Sequence, residues 1–559
     1  MKEIYIDFIE KVFGAYTNEH IKIYTDSVRN DGLKEHGYPR LVANLGILIA
    51  HGRKTELKDD FIKMMDLCCD EMPTALAKAG FGAGNDFSVK EIILSILEIE
   101  KNNAVEKEIT KGWREKLSKL DVEKTYSCIA PVPAEPIMNW AAFGAASEQL
   151  RKYAGIGDES AFIDNQIESQ LFSFDENGMY RDPNEPMVYD FVTRLQLAVA
   201  VWFGYEGKNY EKLMEYLMRS ADITLKMQSV TGEIPYGGRS NQCLHNETFY
   251  AALCEFYASL LKKQGDLKKA GMFKRAARIA MESVTPWLNE ERMSHIKNRY
   301  PWEDMHGCEG YAYFDKYMIT AGSWAYIAYA MADDEIEEVQ SPAENENYIV
   351  ETSEYFHKVF LKYKDYIVQF DTNADFHYDS NGIGRIHKKG VPSALCLSVP
   401  FAKEPNYKLD IKNPSDFSIC GGAKKGEEFV YGFEKGIEYK LTDKKVTEEY
   451  AEIVFECKKQ GEILFKEKCV LSGDGVEISL EGEGELKILF PVFNFDGKYN
   501  TEIFQNEKNI EVKYFGHKCN YKSNNILNDE KLLYANRNGH YKAFSVTGNN
   551  AVSLKIEIE

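Results

Sequence analysis

The sequence contains no apolar run of eighteen residues, which is about the length that a membrane-spanning helix requires. Its eleven cysteines form no C-x-x-C pair and no standard zinc-ligand spacing, and no calcium-loop pattern occurs. Neither of the two glycine-rich nucleotide-binding patterns is present, and there is no G-x-S-x-G nucleophile elbow. We therefore expect no membrane span, no metal and no cofactor, and we expect the cysteines to be free, buried thiols.

Acidic residues outnumber basic ones, 88 to 68, which gives a formal net charge of −20. Nucleic acids are bound through basic patches, so we expect no nucleic-acid partner. A few arginines in a cleft are nevertheless enough to bind a small anion. The N-terminal stretch MKEIYIDFIEKVFGAY is charged from its second residue and lacks the apolar core of a secretory signal, so we expect a cytoplasmic protein.

The period of the apolar residues changes along the chain, whose 559 residues exceed what one core usually holds. Between about residues 3 and 335 they recur three and four apart, as in PRLVANLGILIAHG, which predicts helices buried on more than one side. After an acidic stretch at 333–347, predicted to be a linker, they alternate in short runs such as YIVQF and VEISLEG. We predict a multidomain α + β protein, with an N-terminal (α/α) toroid over 1–335 and a C-terminal antiparallel β-sandwich over 348–559.

Polar loops before toroid helices are the candidate site, because such loops converge at one rim. The first loop, DENGMYRDPNEPMVYDFVTR, offers Tyr189, Asp190 and Arg194. The four-residue spacing of Asp190 and Arg194 places them on one helical face. This pair either holds a guanidinium in place for an anionic ligand or forms a plain salt bridge.

The second loop, YGGRSNQCLHNE (236–247), concentrates hydrogen-bonding groups just before an apolar helix. Arginine forks onto carboxylates, and amides and an imidazole also donate hydrogen bonds. Asn246 is alternatively only the N-cap of the next helix. The density of polar groups exceeds what capping needs, so we favour a binding site. Its candidate ligand-binding residues are Tyr236, Arg239, Asn241, Asn246 and Glu247, and its candidate catalytic residue is His245.

The third loop, SHIKNRYPWEDMHGCEGYAYFDKYM (294–318), interleaves tyrosines with polar residues, which favours a wet, aromatic-walled cleft. We expect Trp302 and His306 to line that cleft, the histidine being an alternative base to the one in the second loop. The candidate acids are Tyr311 and Tyr313.

Histidines also occur in the β-domain stretch DTNADFHYDSNGIGRIHKKG (371–390). His377 and His387, together with Tyr378 and Arg385, either reach the cleft from the neighbouring domain or belong to a decorated hairpin.

Arginine, asparagine, histidine and tyrosine around an aromatic cleft suit β-elimination at a uronic acid. A neutralising group stabilises the enolate that forms when the proton next to the carboxylate is removed. A histidine or tyrosine takes that proton, and a tyrosine hydroxyl protonates the leaving glycosidic oxygen. We expect Arg239 and Asn246 to hold the carboxylate, so the predicted partner is an acidic oligosaccharide.

Two alternatives stay open at this point. A glycoside hydrolase on the same scaffold needs two carboxylic groups. A non-catalytic glycan-binding protein would bind a uronide without turning it over. The sequence does not predict an oligomeric state. The carboxylic candidates for hydrolysis are Asp190, Glu247, Glu303, Asp304 and Glu309.

The stretches LHNE, at the start of a toroid helix, and HGCEGYAYF give the chain a resemblance to the toroid polysaccharide lyases, the heparinase II/III-like and alginate-lyase-like groups being nearest in layout. GMYRDPNEPMVYDFVTRLQLAVAVWFGYEG also resembles lyases that remove rhamnose-linked glucuronate caps. The heparinase-like families use an Asn-His pair and a tyrosine, and here the order is reversed, His245-Asn246. The resemblance implies uronate-containing glycans as substrates and, without a secretory signal, exo-action on short imported oligosaccharides.

Overall fold

The computed structural model describes residues 1–80, 84–130 and 139–559. Short 3-10 helices within these residues lie at Thr55–Leu57, Met72–Thr74, Thr285–Asn289, Trp302–Asp304 and Ser393–Leu395. The α-helices of the described residues are α1 (Lys2–Phe13), α2 (Asn18–Asp31), α3 (Gly37–Ala50), α4 (Lys58–Glu71), α5 (Ala75–Ala79), α6 (Asn85–Lys101), α7 (Lys107–Leu117), α8 (Val122–Thr125), α9 (Trp140–Tyr153), α10 (Ser160–Leu171), α11 (Met187–Trp202), α12 (Tyr210–Arg219), α13 (Ala221–Met227), α14 (His245–Gln264), α15 (Leu267–Val284), α16 (Phe314–Met331) and α17 (Pro342–Asn345).

Six of these helices form a closed ring, in which α3 packs on α6, α6 on α9, α9 on α11, α11 on α14, α14 on α16, and α16 back on α3. Their composition explains this position, because a helix that is apolar all round must be covered on every side. All the residues of α3, for example, are buried. A second layer covers the ring from outside, with α1 on α16, α4 on α3, α10 on α9 and α15 on α14. The predicted (α/α) toroid is therefore confirmed.

The acidic stretch predicted to be a linker is attached to the surface of the toroid. Arg275 on α15 donates to both carboxylate oxygens of Glu344, at 2.9 Å each. Glu344 also completes a capping box with Ser341 at the start of α17. A backbone hydrogen bond of 3.1 Å joins Val339 to Gly271. This segment therefore fixes the chain where it passes from helices to strands.

The strands form two antiparallel sheets. One sheet has the order β1-β2-β3-β4, and the main path of the other is β11-β12-β13-β15-β10-β9-β8-β7, with β14 paired to β15, β5 to β10 and β6 to β5. The strands of the described residues are β1 (Tyr348–Glu351), β2 (Lys358–Tyr363), β3 (Tyr366–Asp371), β4 (Gly382–Lys388), β5 (Cys420–Lys425), β6 (Glu428–Tyr431), β7 (Ile437–Val446), β8 (Tyr450–Lys459), β9 (Glu462–Ser472), β10 (Gly475–Phe495), β11 (Glu502–Gln505), β12 (Asn509–Tyr514), β13 (His517–Lys522), β14 (Leu527–Asn536) and β15 (Gly539–Ile558).

The two sheets share one apolar core, as the alternating pattern of the sequence predicted. In β8, Ala451, Ile453, Phe455 and Cys457 point inward and are fully buried, and the residues between them are partly exposed. The ring of Phe455 stacks on Phe370 of the smaller sheet, with centroids 4.1 Å apart. The predicted antiparallel β-sandwich is therefore confirmed.

All eleven cysteines are buried thiols, as expected from their scattered positions. Among the residues described, no helix is both long enough and apolar enough to cross a bilayer.

Candidate functional site

All six ring helices and the loops that lead into them contribute to the lining of a cavity of about 580 Å³. It is lined by His36, Arg40, Phe87, Asn139, Trp140, Phe143, Pro183, Asn184, Val188, Tyr189, Val192, Arg239, Ser240, His245, Phe249, Tyr311, Lys316, Tyr317, Thr320 and Trp324. This volume falls in the range typical of small-molecule sites.

The ring helices direct their N-termini toward this cavity. Each ring helix contributes a lining residue at or near its first turn. In the order α3, α6, α9, α11, α14 and α16, these residues are His36, Phe87, Trp140, Val188, His245 and Lys316. A helix N-terminus carries about half a positive charge and unpaired N–H groups. Convergence of six such ends makes the cavity attractive to an anion, although the chain as a whole is acidic.

Three cationic side chains, Arg40, Arg239 and Lys316, add to this field. No aspartate or glutamate lines the cavity in the described part of the chain. Arg40 is buried and is held by Glu91 at 3.2 Å. Burial and the neighbouring charge of Arg40 lower the pKa of Lys316. The lining is therefore cationic, and carboxylates that balance its charge, such as Glu91, lie outside the lining.

Arg239 is fixed from two sides. Its guanidinium pairs with the buried carboxylate of Asp182 and donates to the carbonyl of Pro183 at 2.6 Å. It also lies 4.3 Å from the ring centroid of Tyr189, a cation–π contact. Asn139 donates to the other oxygen of Asp182 at 2.9 Å, so a single carboxylate orients two lining residues.

A serine joins two tyrosines at the wall of the cavity. The hydroxyl of Ser240 lies 2.9 Å from that of Tyr311 and 3.1 Å from that of Tyr189. Ser240 adopts φ 60°, a left-handed conformation that non-glycine residues rarely take. Burial, together with the neighbouring Tyr189 and Glu309, raises the pKa of Tyr311 above its ordinary 10.0, so its phenol keeps its proton at neutral pH.

His245, the first residue of α14, packs against Tyr317, which is a neighbour of Tyr311. Its ring centroid is 4.9 Å from that of Tyr317, which in turn is 6.1 Å from that of Tyr311. Burial and the charge of Arg40 hold the pKa of His245 well below 6.5, so the imidazole is neutral at pH 7. Its Nδ1 is buried without a hydrogen-bond partner among the described residues. A neutral imidazole and a protonated phenol thus face one cavity.

The three loops singled out in the sequence therefore meet. Tyr189 comes from the first loop, Arg239 and His245 from the second, and Tyr311 from the third. His245 and the tyrosines lie on the same side of the toroid.

The remaining candidates of the third loop lie outside the cavity lining. His306 stacks on Tyr300 at 3.8 Å, and its ring nitrogens bond the backbone of the β-domain at Asn536 and Asp410. Burial lowers the pKa of His306 to about 4. Tyr313 is 36% exposed, precedes α16 and carries the ammonium of Lys316 over its ring. Trp302 stacks on Phe314 at 4.7 Å.

The remaining candidates of the first and second loops are buried away from the lining. Arg194 makes a fully buried pair with Asp190. The Glu247 carboxylate accepts from Lys297 at 2.6 Å. Asn246 is not an N-cap, because α14 begins one residue earlier, at His245. The side-chain amide of Asn246 donates to the carbonyl of Ser240. The expectation that Asn246 holds the ligand carboxylate therefore lacks a geometric basis.

Tyr236 and Asn241 are buried within the second loop, and Tyr236 contacts the β-domain. The backbone of Tyr236 exchanges two hydrogen bonds with the side chain of Gln369, at 3.1 and 2.7 Å. The side chain of Asn241 is 2% exposed and accepts from Gln242. Both residues support the loop and do not line the cavity.

The β-domain histidines do not line the cavity either. His377 is 52% exposed and bonds Asp375. His387 is buried between Ser229 and Ser398, at 2.8 Å from each. The carboxylates considered for hydrolysis are likewise absent from the lining, namely Asp190, Glu247, Glu303, Asp304 and Glu309.

Several polar lining residues escaped the sequence analysis, among them His36 and Arg40 of the α3 region, Ser240 of the second loop and Lys316 of α16. The helix spacing of His36 and Arg40 was a visible signal, because residues four apart share a face. Arg40 lies within an apolar run that predicts a buried helix, and His36 precedes that run, so the pair did not stand out.

No family model matches the chain, and no curated protein sequence matches it. Among solved structures, it is similar to heparan sulfate lyase HepC from Pedobacter heparinus, with 8% identity, 93% of this chain and 75% of that chain covered, and a TM-score of 0.43. It is also similar to a GH127 β-L-arabinofuranosidase from Geobacillus stearothermophilus T6, with 11% identity, coverages of 98% and 96%, and a TM-score of 0.33. A third is a polysaccharide lyase, with 11% identity, coverages of 59% and 96%, and a TM-score of 0.37. Polysaccharide lyases and a glycoside hydrolase are thus both among the solved structures that this chain is similar to.

Proposed function

We propose that this protein is a carbohydrate-active enzyme, a lyase that cleaves a uronate-containing oligosaccharide by β-elimination. The observation that carries the proposal is the cationic cavity, in which six helix N-termini and three basic side chains face a neutral histidine and a protonated tyrosine. Such a field stabilises a carboxylate and, more strongly, the enolate that develops from it.

Three side chains act in sequence. Arg239 binds the sugar carboxylate, and the neutral imidazole of His245 removes the proton from the neighbouring carbon. The electron pair left on that carbon moves toward the carboxylate, and it returns as the C=C bond forms and the bond to the glycosidic oxygen breaks. Tyr311 gives its proton to that oxygen. The histidine then returns a proton to the phenolate through solvent, which restores both groups.

Hydrolysis by paired carboxylic acids has weaker support. That mechanism needs two carboxyl groups about 5 to 10 Å apart, on either side of the scissile bond. Of the described residues that line the cavity, none is acidic. Of the candidate carboxylates, Glu309 is buried against Arg537, and Glu303 is exposed and paired with Arg292.

The decisive experiment is a product assay. The full-length protein is incubated with a panel of glucuronate-containing oligosaccharides, including one in which glucuronate is linked to rhamnose. Elimination yields a C=C bond conjugated to the carboxylate, which absorbs in the ultraviolet and appears without uptake of water. Hydrolysis yields a new reducing end without that absorbance, and a binding protein yields neither product.

Site variants test the assigned roles. His245→Ala and Tyr311→Phe should each lower kcat about 10²- to 10⁴-fold, the usual cost of losing an acid or base. Tyr313→Phe is the matched control, since this tyrosine is two residues away and outside the lining. If His245→Ala and Tyr311→Phe both keep full turnover, the assignment is wrong.

A further inference from the structure

A turn of the β-domain reaches the loops that form the cavity. Arg537 lies between β14 and β15 and is 2% exposed. Its guanidinium donates to the Glu309 carboxylate at 2.7 Å and to the Gly307 carbonyl at 2.6 Å. The guanidinium carbon also lies 3.9 Å from the ring centroid of Tyr407. A buried arginine held this way has little freedom of position.

The oxygen of Glu309 that binds Arg537 also accepts the backbone N–H of Ser240, at 2.7 Å. Ser240 is the residue in the left-handed conformation whose hydroxyl joins Tyr311 to Tyr189. A non-glycine residue in that region costs about 1–3 kcal/mol unless its surroundings hold it there. The hydrogen bond from Ser240 to Glu309 keeps Ser240 in this conformation, and Arg537 fixes the position of Glu309.

We infer that Arg537 is a positioning residue for the site in the toroid, acting through Glu309 and Ser240 to set the phenol of Tyr311. The inference rests on the proposed function, in which Tyr311 protonates the leaving oxygen. The two large domains then act as one catalytic unit, and the β-domain contributes geometry but no group that touches the substrate.

The neighbouring contacts favour positioning over simple support. Asn538, one residue along, donates to the side chain of Gln242 and to the carbonyl of Lys297, each at 3.0 Å. The turn therefore binds both the second and the third loop.

The test compares Arg537→Gln and Arg537→Lys in the full-length protein, with kcat and KM measured separately. A displaced acid should lower kcat about 10- to 100-fold in Arg537→Gln and leave KM within about twofold. Arg537→Lys keeps the charge and should recover part of kcat. Arg299→Gln is the control, because Arg299 also pairs across the domains, with Asp496 at 3.0 Å, and does not line the cavity.

A double-mutant cycle separates positioning from general destabilisation. Ser240→Ala removes the hydroxyl that reaches Tyr311, so Arg537→Gln should cost less than about threefold in that background. Additive losses, or an equal loss in Arg299→Gln, would overturn the inference. If Arg537→Gln does not fold, Arg537→Lys in the wild-type and Ser240→Ala backgrounds decides the matter in the same way.

A crystal structure of Arg537→Gln gives a readout that does not depend on turnover. The inference requires the Tyr311 hydroxyl to move from its 2.9 Å contact with Ser240. An unmoved phenol overturns it even if the wild type is an active lyase. Conversely, a wild type that forms no unsaturated product refutes the proposed function, and the position of the phenol still decides whether Arg537 sets it.

Discussion

Nη1 of Arg40 lies 2.7 Å from Nδ1 of His36, at the start of α3. A guanidinium has only N–H donors, so Nδ1 must accept, and the neutral ring carries its proton on Nε2. Burial and the charges of Arg40 and Lys316 hold the pKa of His36 well below 6.5. His36 is therefore fixed as a neutral hydrogen-bond donor in a cavity suited to anions.

The first prediction follows from that donor. His36→Leu removes it and should lower kcat/KM about 10²- to 10³-fold, as loss of one oxyanion donor does. His36→Gln keeps an N–H donor and should lose less than about tenfold. Steady-state kinetics of both variants, with His377→Gln as an exposed control, check this. Equal losses in His36→Leu and His36→Gln would mean that the ring acts through packing only.

The second prediction concerns pH. The base must be neutral and the acid protonated, so activity is retained between the two pKa values. Because the pKa of His245 is lowered well below 6.5, the acid limb lies below that pH. Because the pKa of Tyr311 is raised above 10.0, the alkaline limb of the activity profile lies above pH 10. We expect kcat/KM to be flat from about pH 7 to pH 9, and a limb centred within that interval would identify other groups as acid or base.

Much of the architecture could be predicted from the sequence, because helices and strands depend on the local spacing of apolar residues. The apolar period of 3.6 predicted the toroid helices, and the later period of two predicted the β-sandwich. The density of polar groups in residues 236–247 pointed to Arg239 and His245, which do line the cavity.

The rest of the site depends on ring closure, which no local pattern encodes. His36 and Arg40 stand at the start of a helix that reads as core, and they become site residues only because α3 closes the ring beside α16. The same limit explains His306. The polar and aromatic residues around it in the sequence are typical of a cleft. In the structure, however, both of its ring nitrogens form hydrogen bonds with the backbone of the β-domain.

The third prediction separates stability from binding at Arg194, which the sequence offered as a ligand for an anion. Both Arg194 and Asp190 are fully buried, and their two hydrogen bonds measure 2.8 and 2.5 Å. Arg194→Met leaves an unpaired buried carboxylate and should cost about 3–5 kcal/mol of unfolding free energy. KM should stay within about twofold, because the side chain does not reach the cavity. Urea denaturation and kinetics check both parts, and a raised KM at unchanged stability would contradict the structural role.

The last prediction tests how tightly the second loop is enclosed. Gly238 has φ 73°, and a Cβ built there would lie 2.7 Å from Cα of Pro186 in the first loop. Gly155, just after α9, has φ 69° with nothing within 4 Å, so it offers the same backbone conformation without the crowding. Gly155→Ala should therefore cost only conformational strain, about 1 kcal/mol, and leave activity unchanged.

Gly238→Ala adds a clash between two loops that both line the cavity, and an overpacked site costs about 1–3 kcal/mol more. It should also lower kcat/KM, because the N–H of Gly238 donates to Asp379 at 2.6 Å and the next residue is Arg239. Urea unfolding and kinetics of the two variants measure the difference. An equal cost in both would mean that the first loop yields without strain, and Arg239 would then owe its position to its own contacts with Asp182, Pro183 and Tyr189.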